Sequence, residues 1–172
     1  MRIRSIAAAG SLALATFALP TVTGLGAQAF AVCPEVGQVS YTISNGAKVW
    51  QATNLHSDYL TGPGTITYSK NTTSTVNASI TGTTSAEAGV IFAKASVSLS
   101  VTVGGSYSKS DTWSYSATVP AGQTKKLQQY KDARSFTVKK TQIVAPCNVK
   151  TVWTKKVTAP VKNNVYKWAL AS

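Results

Sequence analysis

The residues that could carry out chemistry are few. The chain has one histidine, and the run His56-Ser57-Asp58 contains the residue types of a hydrolytic triad. Triad partners meet through the fold, however, and neighbouring residues of a strand point to opposite faces. One histidine and five acids are spread over the chain without the spacing of metal ligands. We therefore expect no enzymatic activity, no metal site and no cofactor.

The N-terminus has the features of a bacterial-type signal peptide. Two arginines precede an apolar stretch at residues 6–19, and the run Ala29-Phe30-Ala31 offers the small residues that a signal peptidase reads. We predict that residues 1–31 are removed, with cleavage after Ala29 as the alternative. Residues 32–172 are then a single β-rich domain of a secreted, extracellular protein.

Two cysteines remain in that domain, Cys33 and Cys147. An even pair in an exported chain is typical of a disulfide rather than of a metal site or a nucleophile. Lipidation of Cys33 is the alternative, and it is disfavoured because Val32 is bulkier than the residue expected before a lipidated cysteine. The predicted disulfide ties the start of the domain to its last third.

Positive charge is concentrated in the last third of the chain. Residues 32–119 have no net charge, whereas residues 120–172 carry a net charge of +10. Such a concentration attracts polyanions, which for an exported protein are anionic membranes and cell-surface polymers rather than nucleic acid. The alternative is that the lysines only keep an exposed sheet soluble. The candidate residues for binding an anionic surface are Lys125, Lys126, Lys139, Lys140, Lys150, Lys155 and Lys156.

Two segments alternate strictly between apolar and hydroxylated residues. Every even position from Ser96 to Thr118 is Ser, Thr or Gly, and the odd positions from Thr65 to Thr81 are Thr, Ser or Asn. A period of two predicts strands with one apolar and one hydroxylated face. The fold class predicted is therefore all-β, an elongated antiparallel sheet with long Ser/Thr-rich strands in residues 64–119. We expect the second strand to bulge or bend at Gly104-Gly105.

The rest of the domain also reads as strands and turns. Residues 62–64 and 120–122 contain the Gly and Pro residues of turns, and they bracket the Ser/Thr-rich region. Shorter strands are predicted at 135–144, 149–157 and 164–170, with weaker strand signals in 38–60. No helix is predicted beyond a turn near Ala86.

The alternation fits two environments. A transmembrane β-strand has one apolar face towards lipid and one polar face towards water, and it needs only about 9 to 11 residues. No single hairpin closes a barrel, so this interpretation requires hairpins from several chains. A soluble sheet with one face on a core shows the same pattern.

Residues 64–128 resemble the pore-forming module of the aerolysin and epsilon-toxin superfamily. The similarity lies in the long Ser/Thr-rich strands, an amphipathic segment between them, and the turn Val119-Pro120-Ala121-Gly122 before a further strand. It implies a secreted monomer that forms a homo-oligomer on a target surface and refolds a hairpin into a membrane. That hairpin would fall within residues 76–103, with its tip near Val90, Ile91 and Phe92. Its lipid-facing residues would be Val97, Leu99, Val101 and Val103.

Two functions are therefore carried forward from the sequence. The first is a secreted protein that acts at a membrane or cell surface and inserts an amphipathic hairpin as a pore. The second is a non-lytic binding or structural protein of the cell envelope, which uses its basic face.

Overall fold

The computed structural model describes residues 33–172, so the predicted signal peptide lies outside the described residues. Most of this part of the chain is strand, and the strands pair antiparallel. The prediction of an all-β fold is confirmed. The elements are β1 (Val39–His56), β2 (Leu60–Thr61), β3 (Gly64–Asn77), α1 (Ser85–Leu99), β4 (Ser106–Val119), β5 (Thr124–Val144), β6 (Asn148–Pro160) and β7 (Tyr166–Ala171).

The 21-residue strand β5 organises the larger sheet. β1 pairs along one edge of it, from Gln128 to Gln142. β7 and β6 follow one another along the other edge, and the short β2 pairs with its first residues. The predicted strand 135–144 is thus only the second half of a longer strand.

β3 and β4 form a separate two-stranded sheet, which we call the ribbon. Its register runs without a shift from the pair Gly64–Val119 to the pair Asn77–Ser106. One face consists only of Ser, Thr and Asn, in pairs such as Thr67–Ser116 and Thr73–Ser110, whose hydroxyls are 2.8 and 2.6 Å apart. The predicted alternation is confirmed for these two strands.

The predicted strand over residues 96–105 is wrong. Residues 96–99 are the last turn of α1, and the strand begins only at Ser106, directly after Gly104-Gly105, where a bulge or bend is predicted. The helix is favoured because α1 contains four alanines, which have the highest helix propensity, and because Thr84 caps its start. The alternation in 96–103 therefore does not produce a strand in this structure.

Two apolar clusters hold the elements together. The first lies between α1 and the β1–β5–β6 part of the sheet, and its centre is Ile91, Ala95, Phe136 and Val138, all at most 1% exposed. The second lies between the ribbon and the β5–β7 part, around Leu127. Its residues include Leu55, Ile66, Tyr68 and Val119, with Trp113 and Trp168 packed against them.

Buried polar groups also lie between the ribbon and the sheet. Lys131 is fully buried, and its amino group donates to Asn163 O at 2.7 Å and lies 4.5 Å from the centre of the Tyr107 ring. Burial lowers the pKa of Lys131 to about 8, and the nearby Asp132 opposes this. Ser74 of the ribbon donates to Gln129 of β5 at 2.6 Å. The ribbon therefore contacts the sheet partly through hydrogen bonds rather than through an apolar core alone.

The predicted disulfide is confirmed. Cys33 and Cys147 are bonded, with their Cα atoms 5.6 Å apart. The bond joins the segment before β1 to the turn between β5 and β6. A disulfide is consistent with an extracellular protein.

Candidate functional site

The predicted hairpin segment is folded as α1 and its flanking turns. Ile91 and Phe92 of the predicted tip are buried against the sheet, whereas Val90 is 47% exposed. Val97 is 82% exposed, which is high for an aliphatic side chain. Leu99 and Val101 pack at the edge of the first apolar cluster, and Val103 is one of its buried residues. The segment thus has an anchored apolar side and an exposed apolar side.

The first turn of α1 is fixed to the sheet by three polar residues, which we call the Glu87 cluster. Glu87 accepts hydrogen bonds from Lys140 Nζ and from the Tyr41 hydroxyl, both at 2.9 Å. Lys140 lies on β5 and Tyr41 on β1, so one carboxylate joins the helix to two strands. Thr84 accepts a hydrogen bond from the backbone N–H of Glu87 at 3.2 Å and caps the helix.

The contacts of the Glu87 cluster change its ionisation. The hydrogen bond from Lys140 holds the pKa of Glu87 below its ordinary value, although partial burial works against this. The same contact raises the pKa of Lys140. A carboxyl with a lowered pKa stabilises the fold at neutral pH, and this contribution is lost as the pH falls through the lowered pKa. Acid should therefore weaken the attachment of α1.

Replacing Glu87 by Gln tests this attachment. At pH near 7 we expect Glu87→Gln to melt at a lower temperature than the unaltered protein, because Lys140 loses its charged partner. The difference should shrink below a pH of about 4, where a carboxyl protonates. Asp111 and Asp132 also have lowered pKa values and will destabilise both proteins in acid, so the comparison between the two isolates Glu87. A difference in melting temperature that does not change with pH would contradict the assignment.

The last turn of α1 is placed by a bulge in β1. The register between β1 and β5 shifts after Ser44, where Asn45 adopts a positive φ of 54°. Gly46 follows, and a side chain there would collide with Leu99 Cδ2. The helix ends at Leu99, and the next residue, Ser100, adopts a left-handed conformation. The absence of a side chain at Gly46 thus lets the helix end lie against the strand.

The seven candidate lysines do not form one surface. Lys140 contacts Glu87 of α1, and Lys155 donates at 2.6 Å to Thr81 O in the turn before α1, so both lie on the α1 side of the sheet. Lys139 and Lys156 are their sequence neighbours and point to the opposite face, because successive side chains of a strand alternate. Lys125 and Lys126 lie at the start of β5, far from these four, and Lys150 is exposed near the start of β6. The expected single basic face is therefore corrected to several smaller groups.

The face that carries Lys139 and Lys156 is polar and exposed. Lys139 pairs with Thr42 of β1 and Thr154 of β6, and Lys156 pairs with Thr137. Both lysines are exposed. This side of the sheet is therefore a hydroxylated surface with two exposed lysines, Lys139 and Lys156. We call it the Lys139 face.

The run His56-Ser57-Asp58 lies at the end of β1. His56 Nδ1 is 3.0 Å from Ser57 O, and the Ser57 hydroxyl donates to Asp58 O at 2.7 Å. The same hydroxyl accepts a hydrogen bond from the backbone N–H of Leu127 at 2.8 Å. The polar atoms of His56 and Ser57 are thus used to shape the loop.

Sequence reasoning missed the residues that hold α1 in place. In the sequence, Glu87 contributes only to the balanced charge of residues 32–119, and Tyr41 lies in a segment with weak strand signals. One signal was present: Thr84 and Glu87 stand at the spacing of a capping box, which marks the start of a helix. Contacts from Tyr41 and Lys140 depend on the fold and leave no local signal.

No protein family, curated protein or solved structure matches the chain. Within residues 33–172, α1 is too short to cross a membrane as a helix, and no other helix there could do so. Evidence about the function therefore comes from the structure of the chain itself, mainly from α1 and the ribbon.

Proposed function

We propose that the chain is a secreted, non-enzymatic protein that acts at an anionic membrane or cell surface. There, several copies assemble and each inserts residues 78–105 as a hairpin that extends the ribbon. In this proposal the ribbon is the part of the hairpin that is already formed, and α1 with its flanking turns is the part that refolds into strands.

The register of the ribbon carries this proposal. Asn77 and Ser106 are its last pair, so residues 78–105 leave and re-enter the same end of the ribbon. Continuing the register pairs Ile80 with Val103 and brings the two arms together at Ile91-Phe92. The resemblance to the pore-forming module implies a tip near the same residues.

The continued register also sorts the residues by polarity. One face would carry hydroxyl pairs at 81–102, 83–100 and 85–98, in line with the hydroxylated face of the ribbon. The other face would carry the apolar pairs Ile80–Val103, Ala86–Val97 and Val90–Ala93. The two charged residues of the segment, Glu87 and Lys94, would both fall on the hydroxylated face. This division is what a membrane-spanning strand requires, with lipid on one side and water on the other.

The length of residues 78–105 and the way α1 is attached to the sheet also support insertion into a membrane. Each arm, residues 78–90 and 93–105, exceeds the about 9 to 11 residues that a transmembrane strand needs. In the soluble form α1 leaves Val90 and Val97 exposed, so part of its apolar surface stays in water. Refolding into a membrane would cover these residues, whereas the buried Ile91 and Phe92 would have to leave the sheet.

A second candidate is a non-lytic envelope protein, and the Lys139 face favours it. This exposed face combines two cations with rows of threonine hydroxyls, which suits an anionic or hydroxylated polymer. Binding of a polymer to the Lys139 face would need no movement of α1. Each lysine near an anionic surface contributes roughly 1 kcal/mol, which fades within a Debye length.

Liposomes that enclose a dye separate the two candidates. We expect the protein to bind anionic vesicles in low salt, to release their dye, and to leave neutral vesicles intact. The variant Lys139→Glu/Lys156→Glu should fold normally, because both side chains are exposed, and should bind several-fold more weakly. Lys125→Glu/Lys126→Glu is the matched control for a change of the same net charge elsewhere.

The outcome decides between them. Binding without dye release, weakened only by the change at Lys139 and Lys156, would refute the pore and support the envelope-binding function. Equal binding by all variants at every salt concentration would refute both. Electron microscopy of vesicles that lose dye should show rings.

A further inference from the structure

An open groove runs between α1 and β1. Its volume is about 530 Å³, and it is lined by residues 41–43 of β1 and by Ala93, Lys94, Val97 and Ser98 of α1. Pockets that bind small molecules usually measure about 300 to 1,000 Å³. The groove is therefore large enough for a ligand, and its walls are fixed because α1 is attached through the Glu87 cluster at one end and Leu99 at the other.

The walls of the groove are mainly apolar. Val97 contributes a side chain that is 82% exposed, and Ile43, which lines the groove from β1, is half-buried. The neighbouring Ile91 and Ala95 of the same helix are fully buried, so the exposure of Val97 is not a general property of α1. Covering apolar surface is favourable by roughly 25 cal/mol per Å². An aliphatic ligand in the groove would gain from covering Val97 and Ala93.

One cation stands at the edge of this apolar surface. Lys94 is exposed, and its amino group lies 3.4 Å from Tyr41 O. The acid on the same helix, Glu87, is already bonded to Lys140 and Tyr41. Among the ion pairs of residues 33–172, none includes Lys94. Its charge is thus open to an anionic group that enters from solvent.

We propose that this groove binds one fatty acid. The alkyl chain lies against Ala93 and Val97, and the carboxylate meets the amino group of Lys94. The single cation of Lys94 matches the single negative charge of a carboxylate, and the apolar wall suits an alkyl chain. The proposal concerns the soluble protein and does not depend on membrane permeabilisation.

Dodecanoate binding by the soluble protein tests the proposal, with no membrane present. Displacement of a dansyl-labelled undecanoic acid, below the concentration at which micelles form, should show one saturable site per chain. Ala93→Trp should weaken binding by about tenfold or more, a factor that corresponds to about 1.4 kcal/mol, because the indole fills the groove. Ala86→Trp is the matched control: Ala86 is also exposed on α1 but does not line the groove.

A second variant tests the role of the cation. Lys94→Gln should weaken dodecanoate about two- to five-fold, as expected for an exposed ion pair, and leave dodecanol binding unchanged. No saturable binding, or equal losses in Ala93→Trp and Ala86→Trp, would overturn the groove as the site. Equal binding of dodecanol and dodecanoate would overturn the role of Lys94, and binding of a lysophospholipid in place of dodecanoate would overturn the choice of a fatty acid. Dye release by Ala93→Trp is measured separately, so that loss of ligand binding and loss of pore formation are distinguished.

Discussion

A disulfide that locks α1 to β1 is expected to abolish dye release. A Cβ atom at Gly46 would lie 3.6 Å from Leu99 Cγ, which is close to where the sulfur of a cysteine at position 99 would stand. The double variant Gly46→Cys/Leu99→Cys should therefore oxidise, since a disulfide needs a short separation of the two side chains. The locked helix could not open into a hairpin, although adsorption to vesicles should persist.

Reduction and single variants provide the controls. Reducing the locked protein should restore dye release, and the unaltered protein under the same reductant shows the effect of opening Cys33–Cys147 alone. Leu99→Cys on its own should permeabilise vesicles at nearly the normal rate, whereas Gly46→Cys on its own collides with Leu99 and should loosen the end of α1. If the oxidised double variant releases dye as fast as the unaltered protein, α1 does not have to leave β1 and the proposed refolding is wrong.

The sequence was sufficient to predict the ribbon. Strict alternation specifies a strand when one face is buried, and on the hydroxylated face every residue of β3 is opposite a Ser or Thr of β4. The turn at residues 62–64 closes against Pro120, as the flanking glycines and prolines suggested. The disulfide was predictable too, since the chain has no other cysteines.

The sequence was not sufficient to assign residues 96–103. Their alternation favours a strand, whereas Thr84, Glu87 and the alanines of α1 favour a helix that starts upstream and continues to Leu99. The helix is formed here because Ile91, Phe92 and Ala95 fall on one side of it and bury against Phe136 and Val138. Burial in tertiary structure thus decides between two local preferences that the segment carries together.

The lysines divide between the two faces of the sheet because side chains alternate along a strand, which a count of net charge does not take into account. Lys139 and Lys140 are neighbours in one strand, as are Lys155 and Lys156 in the next, so each pair must split between the two faces. The burial of Lys131 was not predictable. It depends on Tyr107 and Asn163, which come from the ribbon and from the loop before β7.

Two adjacent exposed residues offer the most direct test of the pore. Val97 and Ser98 are both exposed on α1, so a lysine at either position should leave the soluble fold and its melting temperature almost unchanged. In the ribbon extended by residues 78–105, the side chains of Val97 and Ser98 would lie on opposite faces. Val97 would pair with Ala86 on the apolar face, and Ser98 would pair with Ser85 on the hydroxylated face.

Val97→Lys is therefore expected to block dye release, while Ser98→Lys permits it. A lysine that faces lipid costs about 2 to 4 kcal/mol near the bilayer midplane, and every copy in a ring bears this cost. A lysine that faces the water-filled interior costs far less and should shift the ion selectivity of the pore towards anions. Conductance and dye release should be measured for both variants beside their melting curves. If both variants release dye equally, or if Ser98→Lys is the one that fails, the ribbon does not extend into a membrane in this register.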